Sequence, residues 1–168
     1  MHTGTTRFLA IIRHPLKYRW FLLTRLPAAF FSGVRIRTVD NDHCAVSVPY
    51  KWFTRNPFRS TYFACLAMAA EMSTGVLAMA QCYGRRPAVS MLVTGLEAAY
   101  TRKAKGISIF TCSDGELIRQ AIEEAIATGE SRTVRAESIG RNAAGEELAR
   151  FHITWSFRQK ETTIVSPN

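Results

Sequence analysis

At 168 residues, 47% hydrophobic and 21% charged, the chain suits one globular domain with room for a proper core. Its net charge of +9 suits an anionic partner such as nucleic acid, an acidic membrane surface or a phosphate-bearing small molecule. The Lys and Arg residues are scattered, with no run of five, which fits a solvated surface better than a nucleic-acid footprint.

Residues 1–14 carry little pattern and read as a loose start. From Pro15 to Phe31 the string PLKYRWFLLTRLPAAFF predicts a helix, with Pro15 in its first turn and Pro27 kinking or splitting it. Lys17, Arg19 and Arg25 alternate there with Trp20, Phe21, Leu22, Leu26 and Phe30. Such a basic aromatic helix rests either on a membrane surface or, the favoured reading, on the domain or a second subunit. The polar start, and the break of the apolar run by Arg25 and Pro27, argue against a secretory signal.

Gly33 opens the alternating strand VRIRTV; Asp40-Asn41-Asp42 is turn chemistry, and CAVSV returns as a second strand ending at Pro49. Tyr62 to Tyr83 reads as one long helix, apolar almost all round, with the single charge Glu71. Ser60 or Thr61 is placed to cap its start, and Gly84 to end it in a left-handed turn. Its length fits a membrane span, but a carboxylate near the middle, abundant Ala and no second span favour a core helix wrapped by a sheet. A lone carboxylate in such a helix must pair, protonate or do chemistry.

After Pro87, AVSMLVTGLEAAYTR is extended, with a bulge signalled at Gly95; KAKG turns, and ISIFTC is a further strand. Ser113 and Glu116 have capping-box spacing before an amphipathic helix carrying Leu117, Ile118, Ala121, Ile122, Ala125 and Ile126, stopped at Gly129. RTVRAESIG and LARFHITWSF close the pattern as strands, the latter alternating cleanly, and ETTIVSPN is a tail. Strand pairs separated by helices imply an antiparallel α+β sheet curled around the long helix.

Several chemistries find no support. Cys44, Cys65, Cys82 and Cys112 form no CxxC pair, and His2, His14, His43 and His152 no HxH or HExxH. Neither a zinc site nor a disulfide framework is expected, and a reducing cytoplasm is the predicted setting. Gly140 to Gly145 lacks the Lys-Ser/Thr of a phosphate loop, and no GxSxG elbow occurs. Cys65 near a helix start reads as an inert buried thiol, having no His or Asp beside it in sequence.

Over Val34 to Phe157 the order of elements resembles the hotdog fold, and Asn56 with Glu71 resembles the Asn and acid pair of hotdog thioesterases. YTRKAKG is similar to their strand-end segment, whereas Thr61-Tyr62-Phe63-Ala64 replaces the usual His-Gly-Gly at the helix start and is closer to a branch with Thr-x-Phe. The resemblance implies residues 33–158 as the hotdog domain, 1–32 as a helical extension and 159–168 as a tail. It also implies a homodimer or dimer of dimers that hydrolyses acyl-CoA-type thioesters without a cofactor or metal.

In that reading Glu71 is base or nucleophile, the N–H groups of Phe63 and Ala64 form the oxyanion hole, and Asn56 orients the thioester. Arg102, Lys103 and Lys105, then Arg85 and Arg86, are the candidates for the phosphates, and Met68 and Met72 for the acyl chain. Ala64 and Glu71 are about 10 Å apart along one helix, so a site using both draws on two subunits. The alternative is a non-catalytic acyl or acyl-CoA binder in which Glu71 is structural. A nucleic-acid role is not expected, since no recognised module is present.

Overall fold

A computed structural model describes residues 3–160. Three N-terminal helices, α1 (Thr3–Arg13), α2 (Pro15–Arg25) and α3 (Pro27–Ser32), precede strands β1 (Arg35–Val39) and β2 (Cys44–Val48). A short 3-10 turn, Trp52–Thr54, leads to helix α4 (Phe63–Cys82). Strands β3 (Val89–Tyr100) and β4 (Ser108–Cys112), helix α5 (Gly115–Thr128), and strands β5 (Arg132–Arg141) and β6 (Glu147–Gln159) complete the chain.

The six strands form one antiparallel sheet in the order β1-β2-β4-β5-β6-β3. It curves around α4, the hotdog arrangement that the sequence implied. Alternation along β6 aims Phe151, Ile153, Trp155 and Phe157 at the helix, and all four are buried. Phe110 of β4, Val46 and Val48 of β2 and Leu77 of α4 fill the same core. Inside it the Ser73 and Ser138 hydroxyls meet at 2.8 Å, so two buried polar groups joining α4 to β5 satisfy each other. The outer face of the sheet is ionic: Glu137 of β5 meets Arg150 at 2.6 Å and His152 at 3.2 Å, both on β6.

Four local expectations give way to tertiary structure. The start is a helix, because Phe8, Leu9 and Ile12 share one face of α1 and are buried against the domain, with the Phe8 ring 5.4 Å from that of Tyr83. Pro27 does split the N-terminal helix, after Leu26. The Ser113–Glu116 capping box does not form: Asp114 is the N-cap residue, and its carboxylate accepts the N–H of Glu137 at 2.6 Å. Glu116 instead meets Gln120 and Arg119 along its own helix.

Neither Ser60 nor Thr61 caps α4, since Tyr62 holds the N-cap position and the two hydroxyls bond Asn56 and Ala104 instead. Nor is α4 covered all round by the described residues. Phe63 is exposed, and Ala64, Ala67, Met68 and Glu71 are only half-buried; the last four lie at i, i+3, i+4 and i+7, one open stripe. The tail expected over 159–168 lies, beyond Lys160, outside the described residues.

If α1 is an integral layer, Phe8→Ala should cost about 3 kcal/mol in chemical denaturation, the usual loss for a buried Phe. A loss below about 0.5 kcal/mol, as at exposed positions, would show α1 to be dispensable.

Candidate active site

Residues 56–62 shape the start of α4. The Asn56 Oδ1 accepts three hydrogen bonds, from the Phe58 N–H (3.0 Å), the Ser60 N–H (3.2 Å) and the Ser60 hydroxyl (3.2 Å). That pins the side-chain amide, and its Nδ2 donors have no protein partner among the described residues. Backbone bonds from Asn56 N to Ser60 O and from Arg59 N to Asn56 O close the turn, with Arg59 at φ 58°. Thr61 N is bonded to Ala104 O and Tyr62 N to Thr54 O, which fixes where the helix begins.

With Tyr62 at the N-cap and no side chain accepting there, the first-turn N–H groups of Phe63 and Ala64 stay free among the described residues. Two orphan donors at the positive end of a twenty-residue helix can hold a developing oxyanion. An open groove of about 470 Å³ collects Asn56, Phe63, Tyr100, Arg102 and Lys103 at this end. Arg102 lies 3.6 Å from Glu146, and Lys105 lines the neighbouring groove with Asn142.

Glu71 sits two turns further on, in another compartment. It borders a cavity of about 70 Å³ whose other walls are Phe8, Ile12, Tyr18, Phe21, Leu22 and Leu26 of the N-terminal segment, Met72, Gly75, Val76 and Met79 of α4, and Met91 of β3. No hydrogen bond or ion pair among the described residues reaches its carboxylate. Burial therefore raises its pKa above the usual carboxylate value, because apolar walls disfavour the charged form. Two nearby polar side chains serve other ends: the Tyr18 hydroxyl donates to the Met72 sulfur at 2.8 Å, and Thr74 links the Trp155 Nε1–H to the Glu71 carbonyl.

Within the chain, then, Asn56, Phe63, Arg102 and Lys103 come together, while Glu71 and Met72 form a second group. Ala64 and Met68 lie on the half-open stripe between them. Arg85 and Arg86 follow the far end of α4; Arg85 pairs with Glu123 at 3.5 Å and donates to the Gln81 carbonyl, and Arg86 is exposed. Among the described residues no cluster of three or more His, Cys, Asp or Glu has the makings of a metal site.

Two contributors escape sequence reasoning, Tyr18 and Gly75. Tyr18 had no signal to offer, since only the packing of α2 brings it to the cavity. Gly75 had one: a glycine inside a helix costs about 1 kcal/mol against alanine, and it lies four residues after Glu71. A Cβ there would stand 2.9 Å from the Glu71 Oε1 and 3.2 Å from the Trp155 ring.

Gly75→Ala should accordingly displace the Glu71 carboxylate and move its titration, read by carboxyl NMR, while the helix itself loses nothing in propensity. Glu71→Gln should raise thermal stability at alkaline pH. A folded-state pKa above the unfolded one means that stability is fullest below the unfolded value and falls as pH rises through the folded one, a loss that Gln cannot show. Melting curves of wild type and variant that stay parallel across that range would contradict the desolvated carboxylate.

The profile of a domain of unknown function, DUF4442, matches residues 19–157. Among curated proteins none matches. A Pseudomonas aeruginosa protein of unknown function, called a probable thioesterase, superposes with a TM-score of 0.73 at 22% identity, over 87% of this chain and 97% of its own. A Chlorobaculum tepidum protein of unknown function gives 0.73 at 18%, over 86% and 93%. A Haemophilus influenzae thioesterase gives 0.61 at 13%, over 86% and 92%. At such identities the likeness speaks for the fold alone. With most of its length inside the matched region, the chain belongs to the DUF4442 family and carries that family's domain on a hotdog fold.

Proposed function

We propose that the protein hydrolyses acyl-CoA-type thioesters in a reducing, cytoplasmic setting, at sites shared between two protomers of a homodimer. The observation that carries this is Glu71, a half-buried, unpartnered carboxylate on an apolar cavity, in the same helix as two free first-turn N–H groups.

Within one protomer the first turn of α4 and Glu71 do not meet. Strand β3 offers a remedy: it is twelve residues long, pairs among the described residues only with β6, and leaves Leu92, Leu96 and Tyr100 exposed. Antiparallel pairing of two such edges would lay the two α4 helices side by side in opposite directions, with the N-terminus of one beside Glu71 of the other. A dimer of dimers would use the same pairing twice.

In that arrangement the thioester oxygen lies against the N–H groups of Phe63 and Ala64, and the Asn56 Nδ2 donates to the carbonyl or to the attacking water. Glu71 removes a proton from water as hydroxide adds to the carbonyl carbon. The tetrahedral oxyanion collapses, the C–S bond breaks, and the thiolate takes the proton back. A raised pKa makes Glu71 the stronger base; attack by Glu71 itself, through an anhydride, needs the same geometry.

Arg102 and Lys103, with Lys105 alongside, meet the phosphates of the carrier; Arg85 and Arg86 approach from the second protomer. Met72 lines the acyl cavity and Met68 its open approach. The non-catalytic reading keeps one specific support: the Tyr62, Phe63 and Tyr100 rings crowd the helix start, with centroids 4.8 Å and 6.4 Å apart, where glycines would leave room.

Thiol release from short, long and aromatic acyl-CoAs should fall about 100-fold or more in folded Glu71→Ala. Asn56→Asp keeps the acceptor that organises the loop and removes the donors, so it should lose about 100-fold as well. Ligand binding without turnover by the wild type would make the protein an acyl-CoA binder.

A further inference from the structure

The N-terminal half carries a surface that hydrolysis at Glu71 leaves unused. Helix α2 is apolar on two sides. Tyr18 and Leu22 face inward and are buried, as a packed helix requires. Leu16, Trp20 and Leu23, at i, i+4 and i+7, form a second stripe facing solvent, where polar residues are the rule. Leu16 is 75% exposed and Trp20 68%.

The stripe does not end with the helix. Arg19 lies over the Phe30 ring at 4.0 Å, Phe30 meets Phe31 at 5.4 Å, and Phe31 meets Phe53 at 6.3 Å, so contact runs unbroken from α2 to the 3-10 turn. In that turn Trp52 is 75% exposed beside an exposed Phe53. Their presentation is built in. The buried Thr54 hydroxyl donates to the Pro49 carbonyl at 2.7 Å and accepts the Lys51 N–H at 3.0 Å, holding the turn with its rings outward.

Charge identifies what this surface meets. Residues 1–70 hold ten Lys and Arg against two Asp, whereas residues 71–168 hold twelve against eleven Asp and Glu. Nearly all the excess charge is thus in the half that bears the apolar stripe. Lys17, Arg25, Lys51 and Arg55 flank the stripe in sequence, and among the described residues none of them is in an ion pair. In the other half Arg85, Arg102, Arg119, Arg132, Arg135, Arg141 and Arg150 all have carboxylate partners.

Two tryptophans, the Leu and Phe side chains beside them and a fringe of unneutralised cations make the chemistry of a headgroup boundary. Indoles settle where water meets hydrocarbon, and free cations find anionic lipid. We infer that the α2 stripe and the Trp52–Phe53 turn dock the protein on an anionic lipid bilayer. The inference stands independently of the hydrolase reading.

The tryptophans supply the test. Of the three in the chain, Trp155 is buried and bonded to Thr74, so only Trp20 and Trp52 can report a change at this surface. Adding vesicles of phosphatidylglycerol and phosphatidylcholine should shift the emission to the blue and sediment the protein, more weakly as salt rises. Phosphatidylcholine vesicles alone should do far less. The double variant Trp20→Ser, Trp52→Ser removes two exposed rings, should melt like the wild type, and should lose about tenfold or more in vesicle affinity. Lys17→Glu with Lys51→Glu keeps both reporters and should lose the preference for anionic lipid, while Glu71→Gln should bind vesicles as the wild type does.

Four results would overturn the inference. One is the absence of binding to anionic vesicles at low salt, and another is undiminished binding by the double Trp variant. The third is a blue shift produced by raising protein concentration without lipid, which would assign the surface to a second copy. Equal, salt-sensitive binding to duplex DNA with no change in emission would point to a nucleic acid instead, and would also sink it.

Discussion

Twenty residues of nearly unbroken apolar helix have to be taken out of water, and most of the architecture answers that demand. The sheet curves over one side of α4, α5 closes another, and α1 and α2 lie along a third. What remains is the stripe from Ala64 to Glu71, beside the inner face of a sheet edge that has no neighbour among the described residues. Incomplete burial of α4 thus falls beside an edge strand, which leaves an opening there. The single carboxylate lies at the boundary between covered and uncovered surface. Deeper, its charge could not survive; on the rim, water would leave its basicity ordinary.

The fold was legible because it rests on patterns that local sequence cannot easily disguise. Alternation in β6, the featureless apolarity of α4 and turn chemistry at Asp40–Asp42 each survive tertiary packing. Glu71 stood out for the same reason, as one charge in twenty residues. What sequence could not show was which polar side chain answers which backbone group. Ser113 with Glu116 and Ser60 with Thr61 look like helix caps, yet Asp114 is taken up by Glu137, and Asn56 with Ala104 takes up the hydroxyls. Two of those partners lie far along the chain, Glu137 on β5 and Ala104 in the loop between β3 and β4.

The first residues mislead for a subtler reason. Phe8, Leu9 and Ile12 are too few to announce a helix and acquire meaning only once α4 supplies the surface they cover. The charge pattern behaves likewise. Scattered along the chain, the cations look like ordinary solvation. Sorted by carboxylate partner, seven arginines of the second half are tied into ion pairs, while Lys17, Arg25, Lys51 and Arg55 of the first half are in none among the described residues.

Helix α2 is the wall of the Glu71 cavity through Tyr18, Phe21 and Leu22 and the outer skin of the protein through Leu16, Trp20 and Leu23. It is bounded at one end by the His14 imidazole accepting the Lys17 N–H and Pro15, and at the other by Pro27. Inserting or deleting one residue between those stops would turn everything beyond it by about 100° and exchange wall for skin. The two surfaces are therefore locked in phase: point substitutions can tune either, but the number of residues from Pro15 to Pro27 is fixed by both at once.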